Sequence, residues 1–286
     1  LGGAPAAEIL PLRIADSVVL LRTSALAQAL DYAIDQRCDV VTLSMGGLPS
    51  RAWGEVVDKA YEKGVCICAA AGNHVSITPP RTLVYPARYS RVIAVCGVMA
   101  NGKPYADLEG TALEGSFGPD SAMKSAIATY TPNIPWARFG CGSIVRLSGE
   151  GTSAATPQVA AAAALWFEKY KNELPRDWRR VEAVRNALFT STKLQEDKKH
   201  FGNGVLQAYS ALGVKPLLGL DKSAPSDESF AFLRILTGLG LVEAPPLEKM
   251  FNLELAQRWL VNPELQETVS YPGALTRPGG EAVRHL

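Results

Sequence analysis

Ser153 stands in the segment Gly151-Thr152-Ser153-Ala154-Ala155-Thr156-Pro157, which runs into an alanine-rich stretch ending near Leu165. A serine at the mouth of a buried helix lies in the field of unpaired backbone amides, where negative charge developing near Oγ is stabilised. That is nucleophile chemistry. Gly149 and Gly151 allow a tight backbone approach, the small residues at 154 and 155 keep the first turn slim, and Pro157 is expected among first-turn amides that need no helical acceptor. Taken alone, the segment also fits a plain structural role in which Ser153 or Thr152 only caps the helix. A serine hydroxyl needs a base within hydrogen-bond reach to act as a nucleophile, and the chain has three histidines, His74, His200 and His285. His74 reads as a loop residue after a strand, His200 as a surface position before a glycine-rich turn, and His285 as part of the C-terminal end. Five cysteines, at 38, 66, 68, 96 and 141, sit at neither disulfide-framework nor zinc-ligand spacings and read as small buried residues.

The elements that must position these groups follow from periodicity. Leu26, Ala29, Leu30, Ala33 and Ile34 recur at helical spacing between Ser24 and Arg37, and the short apolar run Val40 to Met45 follows. The pattern repeats. Trp53, Val56, Val57, Ala60 and Tyr61 form a second helical stripe, Gly64 ends it, and Val65 to Ala71 is apolar throughout. A third apolar strand is expected from Val92 to Val98. Strands apolar on both faces and joined through helices define an α/β fold with a parallel sheet covered on both sides. Such sheets bind ligands beyond the carboxyl ends of their strands. That rule directs attention to Ser44-Met45-Gly46-Gly47 and Ala71-Gly72-Asn73-His74.

Composition narrows the classes further. The 286 residues are 47% hydrophobic and 20% charged, with a formal net charge of +1, so no electrostatic footprint points to nucleic acid or an anionic membrane. No apolar run approaches the roughly 20 residues that span a bilayer. The chain opens on Leu1-Gly2-Gly3-Ala4-Pro5 and reads as a piece of something longer.

Taken in order, Leu43-Ser44-Met45-Gly46-Gly47, Ala69-Ala70-Ala71-Gly72-Asn73 and Gly151 to Pro157 resemble the subtilisin-like serine peptidases. Gly3-Ala4-Pro5 with an apolar strand after it, Tyr85-Pro86-Ala87-Arg88-Tyr89 before Val92 to Val95, and Phe201-Gly202-Asn203-Gly204-Val205-Leu206 extend the resemblance over residues 1 to about 213. The resemblance implies that Ser153 is the acyl-accepting nucleophile and Asn73 the oxyanion-hole donor. A side-chain amide preorganised for a tetrahedral intermediate is worth ~3 to 4 kcal/mol of barrier. It also implies that Ser44, Met45 and Gly46 pair with an extended polypeptide substrate, and that Ala70, Ala71 and Gly72 wall the pocket for the residue before the cut bond. Val84 stands where the best-known members carry glycine, so a smaller pocket is expected. Pro86 matches a cis proline, and the carbonyls of Ala87, Tyr89 and Val92 match a weak structural site for calcium or a monovalent cation. No cofactor is required for the chemistry.

The family's chain order is aspartate, histidine, serine, and the first two would precede Leu1. The expectation is therefore an N-terminal fragment or chain that carries both, with residues 1–286 inert alone. A subtilase-like peptide-binding or scaffold module without activity is the alternative from another class. A sedolisin-like serine-carboxyl peptidase using Glu109, Glu114, Asp120 or Glu150 is a third reading, disfavoured by Asn73 because sedolisins carry aspartate there. Gly115 to Asp120 and Thr131-Pro132-Asn133 resemble the family only loosely. Secretion is the family's commonest habit, while free cysteines suit an intracellular home, so the compartment stays open. The peptidase domain is expected to end near Gly213. Residues 214–286 then form a small helical extension, with a linker-like stretch from Lys222 to Asp227 and helices around Phe230 to Leu236 and Leu253 to Val261.

Overall fold

The computed structural model describes residues 2–15, 19–20, 23–47, 49–75, 82–108, 113–137, 140 and 144–226. The helices expected at 230–236 and 253–261, Cys141, Glu109 and His285 lie outside them.

Four parallel strands form the centre: β2 (Val40–Leu43), β4 (Cys66–Ala70), β6 (Ile93–Val98) and β8 (Ala126–Tyr130), adjacent in that order. Alternate side chains divide between two cores, as period-two strands require. Ile67, Ala69, Ala94, Cys96, Ala126 and Ala128 join the cluster with Leu26, Leu30, Trp53 and Val57 from α1 (Thr23–Asp35) and α2 (Arg51–Glu62). Cys66, Cys68, Ile93, Val95 and Ile127 face α4 (Gly151–Tyr170) and α5 (Trp178–Thr190) through Val159, Ala163, Trp166, Val184 and Leu188. The expected α/β class, with a parallel sheet between helices, is what the chain adopts. The strand β8 was not among the expected elements. It follows only the single-turn helix α3 (Asp120–Met123), so no amphipathic crossover announces it in the sequence.

The two edges of this sheet differ. The outer side of β8 is covered by bridges from Ile127 to Gly202 and from Ala128 to Val205. On the outer side of β2 no strand pairs among the described residues, the strand expected after Pro5 does not form over residues 6–15, and Val40, Val41 and Thr42 are incompletely covered.

Short pairs frame the carboxyl end. Val19–Leu20 (β1) pairs in parallel with Gly46–Gly47 (β3), and Asn73–Val75 (β5) pairs antiparallel with Leu113–Gly115 (β7). An antiparallel hairpin, β9 (Ile134–Ala137) with β10 (Val145–Gly149), leads straight into α4. The one-turn α6 (Lys198–Phe201) and α7 (Ala208–Leu212) complete the described helices.

The stretch read as a linker is tied down as far as it is described. Arg91 Nε donates to Ser223 O at 3.1 Å, Ser90 Oγ to Ala224 O at 2.6 Å, and Ser226 N to Asp58 Oδ1 at 3.1 Å. Arg91 is itself only 6% exposed, lies 3.1 Å from Asp58 and stacks on Tyr61 with its guanidinium 4.5 Å from the ring centre. Burial, with Glu182 beside it, holds the Tyr61 hydroxyl above the usual phenol range.

Candidate active site

Ser153 is the third residue of α4, and the cap position is Glu150, whose side chain makes no capping bond. Neither Ser153 nor Thr152 caps the helix, so the structural reading of these hydroxyls loses its basis. Pro157 is the seventh residue of the helix rather than part of its first turn. An amide at 157 would bond the carbonyl of Ser153. Proline has none, and Ser44 Oγ donates to that carbonyl instead at 2.8 Å, while Ser153 Oγ donates to Ser44 O at 3.2 Å. Ser153 and the end of β2 are thereby clasped by two reciprocal bonds.

Asn73 comes to the same helix mouth. Its Oδ1 accepts from Thr152 N at 2.9 Å and lies 3.3 Å from Thr152 Oγ1. Because a backbone amide can only donate, that contact fixes which end of the Asn73 amide is oxygen and turns Nδ2 the other way. Thr152 Oγ1 donates to Gly72 O at 3.0 Å and lies 3.2 Å from Gly72 N, anchoring the residue before Asn73. Gly151 makes this approach possible: at φ +74 a Cβ there would sit 2.9 Å from both Nδ2 and Oδ1 of Asn73. Thr152 was not singled out in the sequence. Its place one residue ahead of the serine is a signal only once β5 is known to return to the helix.

Of the residues expected to make the pocket, Gly46 and Gly72 both lie against Val84. Ala70, Ala71 and Gly72 are buried on one side and Gly46 on the other. Val84, 4% exposed, fills the space between them. A Cβ on Gly72 would come 2.6 Å from Val84 Cγ1, and one on Gly46 would overlap Val84 Cγ2. Val84 N donates to Ala71 O at 3.0 Å, and Gly47 N to Tyr85 O at 2.9 Å, so the floor is bonded to both walls. Met45, partly buried, packs against the core beside Ser44. Both sides of β3 are taken, by β1 and by Tyr85.

The histidines lie elsewhere than expected. His74 belongs to β5 rather than a loop, and its buried Nε2 is 3.0 Å from Glu114 Oε1. His200 is buried rather than superficial: Asp197 lies 2.6 Å from Nδ1, Asp107 3.0 Å from Nε2, and Phe117 packs against the ring. Strand register brings Glu114 to His74, while the turn of α6 presents the nearby Asp197 to His200 and the fold adds Asp107, 93 residues away in the chain. Among the described residues neither is brought to Ser153 by a hydrogen bond.

Ala87, Tyr89 and Val92 lie buried on the turn after the cis Tyr85–Pro86 bond. The Tyr89 carbonyl accepts from Val92 N at 3.0 Å. No group of three or more His, Cys, Asp or Glu side chains among the described residues could hold a metal ion. Cys38, Cys66, Cys68 and Cys96 are unbridged, and burial pushes the Cys96 thiol up to about 12. No described helix is long and apolar enough to cross a membrane.

A serine at a helix mouth with an amide locked beside it, at the carboxyl end of a parallel sheet, defines a class, and comparison with known proteins identifies it. The model of the Subtilase family (Peptidase_S8) matches residues 1–205, and the chain belongs to that family. Subtilisin E of Bacillus subtilis (strain 168) is 30% identical over 212 residues, a match covering 74% of this chain and 50% of the relative. Thermitase of Thermoactinomyces vulgaris is 31% identical over 213 residues, covering 74% of this chain and 67% of its own length. The chain thus spans about half the length of relatives such as Subtilisin E. Among solved structures, the Prenylagaramide maturation protease PagA superposes with a TM-score of 0.57 at 25% identity, covering 72% of each chain.

Proposed function

We propose that this chain carries the serine and oxyanion half of a subtilase endopeptidase, and that its aspartate and histidine are supplied by an N-terminal segment or chain outside residues 1–286. The observation that carries the reading is the Asn73 amide, fixed by Thr152 N one residue from Ser153. A peptide-binding module has no need of that arrangement, so the non-catalytic alternative is less well supported. No strand pairs with the outer side of β2 among the described residues, which supports a further strand there, where an added segment would join the sheet.

In the proposed reaction the incoming histidine takes the proton from Ser153 Oγ as that oxygen bonds to the scissile carbonyl carbon. The carbonyl oxygen gains the negative charge and is met by Asn73 Nδ2 and the Ser153 amide. The carbon–nitrogen bond then breaks, the histidine returns its proton to the departing amine, and water releases the acyl group from Ser153 by the reverse sequence. Ser44, Met45 and Gly46 would bind the peptide backbone, which requires β1 to give up its place on β3. Since Val84 occupies the space between Gly46 and Gly72, the substrates proposed are peptides with glycine or alanine before the cut bond. A calcium or monovalent ion on the carbonyls of Ala87, Tyr89 and Val92 would serve structure, and the chemistry does not use it.

Co-expression of residues 1–286 with the segment that precedes them tests this. The assembly is expected to cleave peptides with alanine before the cut bond at least ~10-fold faster than those with phenylalanine. Ser153→Ala is expected to lose essentially all activity, by ~10³-fold or more. Activity that survives in Ser153→Ala would contradict the proposal.

A further inference from the structure

The proposed oxyanion residue Asn73 belongs to a strand of only three residues, β5, whose one strand partner among the described residues is β7. A pair this short is marginal unless side chains hold it. In its register Asn73 lies opposite Gly115 and His74 opposite Glu114. The His74 and Glu114 side chains are 6% and 0% exposed, with Nε2 and Oε1 at 3.0 Å. Two further contacts tie this pair to the loops that surround the site. Glu114 Oε2 accepts from Leu108 N at 2.6 Å, and His74 Nδ1 lies 3.3 Å from Ser116 Oγ. The backbone follows the same plan, with Ser116 N donating to Gly72 O at 2.9 Å and Gly115 N to Tyr105 O at 2.7 Å.

Burying a carboxylate and an imidazole is a poor way to gain stability, because desolvation offsets much of their attraction. What such a pair supplies is a single allowed register. A slip of one residue would carry the Asn73 side chain to the other face of the strand and away from Thr152. We propose that His74 and Glu114 are positioning residues for the oxyanion hole, acting on catalysis through Asn73. The inference rests on the peptidase reading given above.

A double-mutant cycle in the active assembly, bearing the N-terminal aspartate and histidine, tests it through kcat and KM for wild type, Asn73→Ala, His74→Gln and the double variant. Asn73→Ala is expected to lower kcat by ~10²-fold or more. His74→Gln is expected to lower kcat about tenfold with KM changed less than about twofold, and to lower it less than about twofold further when Asn73 is already alanine. A merely structural role would not depend on Asn73, so equal losses in both backgrounds would overturn the inference, as would an unchanged kcat in His74→Gln. If His74→Gln fails to fold, Glu114→Gln takes its place. It keeps an oxygen for Leu108 N and the side-chain shape, and the same pattern is expected. Failure of the peptidase reading would look different, since the wild-type assembly would then show no kcat for peptide cleavage at all.

Discussion

Pro157 removes one amide from α4, and the carbonyl that loses its partner belongs to Ser153. Ser44 Oγ fills that vacancy at 2.8 Å, so a helix defect becomes the means by which the strand end and Ser153 are held together. The clasp makes a prediction that separates it from ordinary packing. Ser44→Ala leaves the Ser153 carbonyl without its donor and is expected to cost ~1 to 2 kcal/mol of stability. Pro157→Ala restores an amide four residues on, so the cost of Ser44→Ala is expected to shrink by at least half in that background. Denaturant unfolding of the four proteins measures this, and an equal cost with and without Pro157 would contradict the account. The serine and the asparagine were legible as residue types in specific segments. Thr152 and the His74–Glu114 pair were not, because their roles depend on which strands meet.

At the scale of elements, the apolar runs marked α1, α2, β2, β4 and β6 well, since each buries a face whose period the sequence displays. The strand β8 escaped because its crossover is a single helical turn, and β5 and β7 because three-residue strands have too few positions to show a period. Composition also misled at 222–226, where Lys, Ser, Ala and Pro suggest a free linker. Backbone and side-chain groups there bond to Arg91, Ser90, Asp58, Tyr61 and Glu182. These bonds are worth about 1 kcal/mol each, and a chain of this size gains ~2 to 4 °C per kcal/mol. A chain ended at 213 is therefore expected to melt at least ~5 °C below one ended at 226 in a calorimetric scan. Equal midpoints would mean that the strap only lies along the surface.

For the whole molecule, the fold class and the family were readable from three ordered motifs. The family's chemistry needs a base that no described histidine provides, because His74 is committed to Glu114 and His200 to Asp107 and Asp197. The molecule is thus organised around Ser153 and the Asn73 amide, and the activating half is proposed to enter at the outer side of β2, where no strand pairs among the described residues. The central claim is that Ser153 becomes a nucleophile when that half is present. Labelling with a fluorophosphonate probe, followed by mass spectrometry of the peptide that bears the adduct, addresses it directly. The account predicts stoichiometric labelling of Ser153 in the natural assembly and none in residues 1–286 alone. An assembly confirmed as folded whose Ser153 stays unlabelled would contradict it.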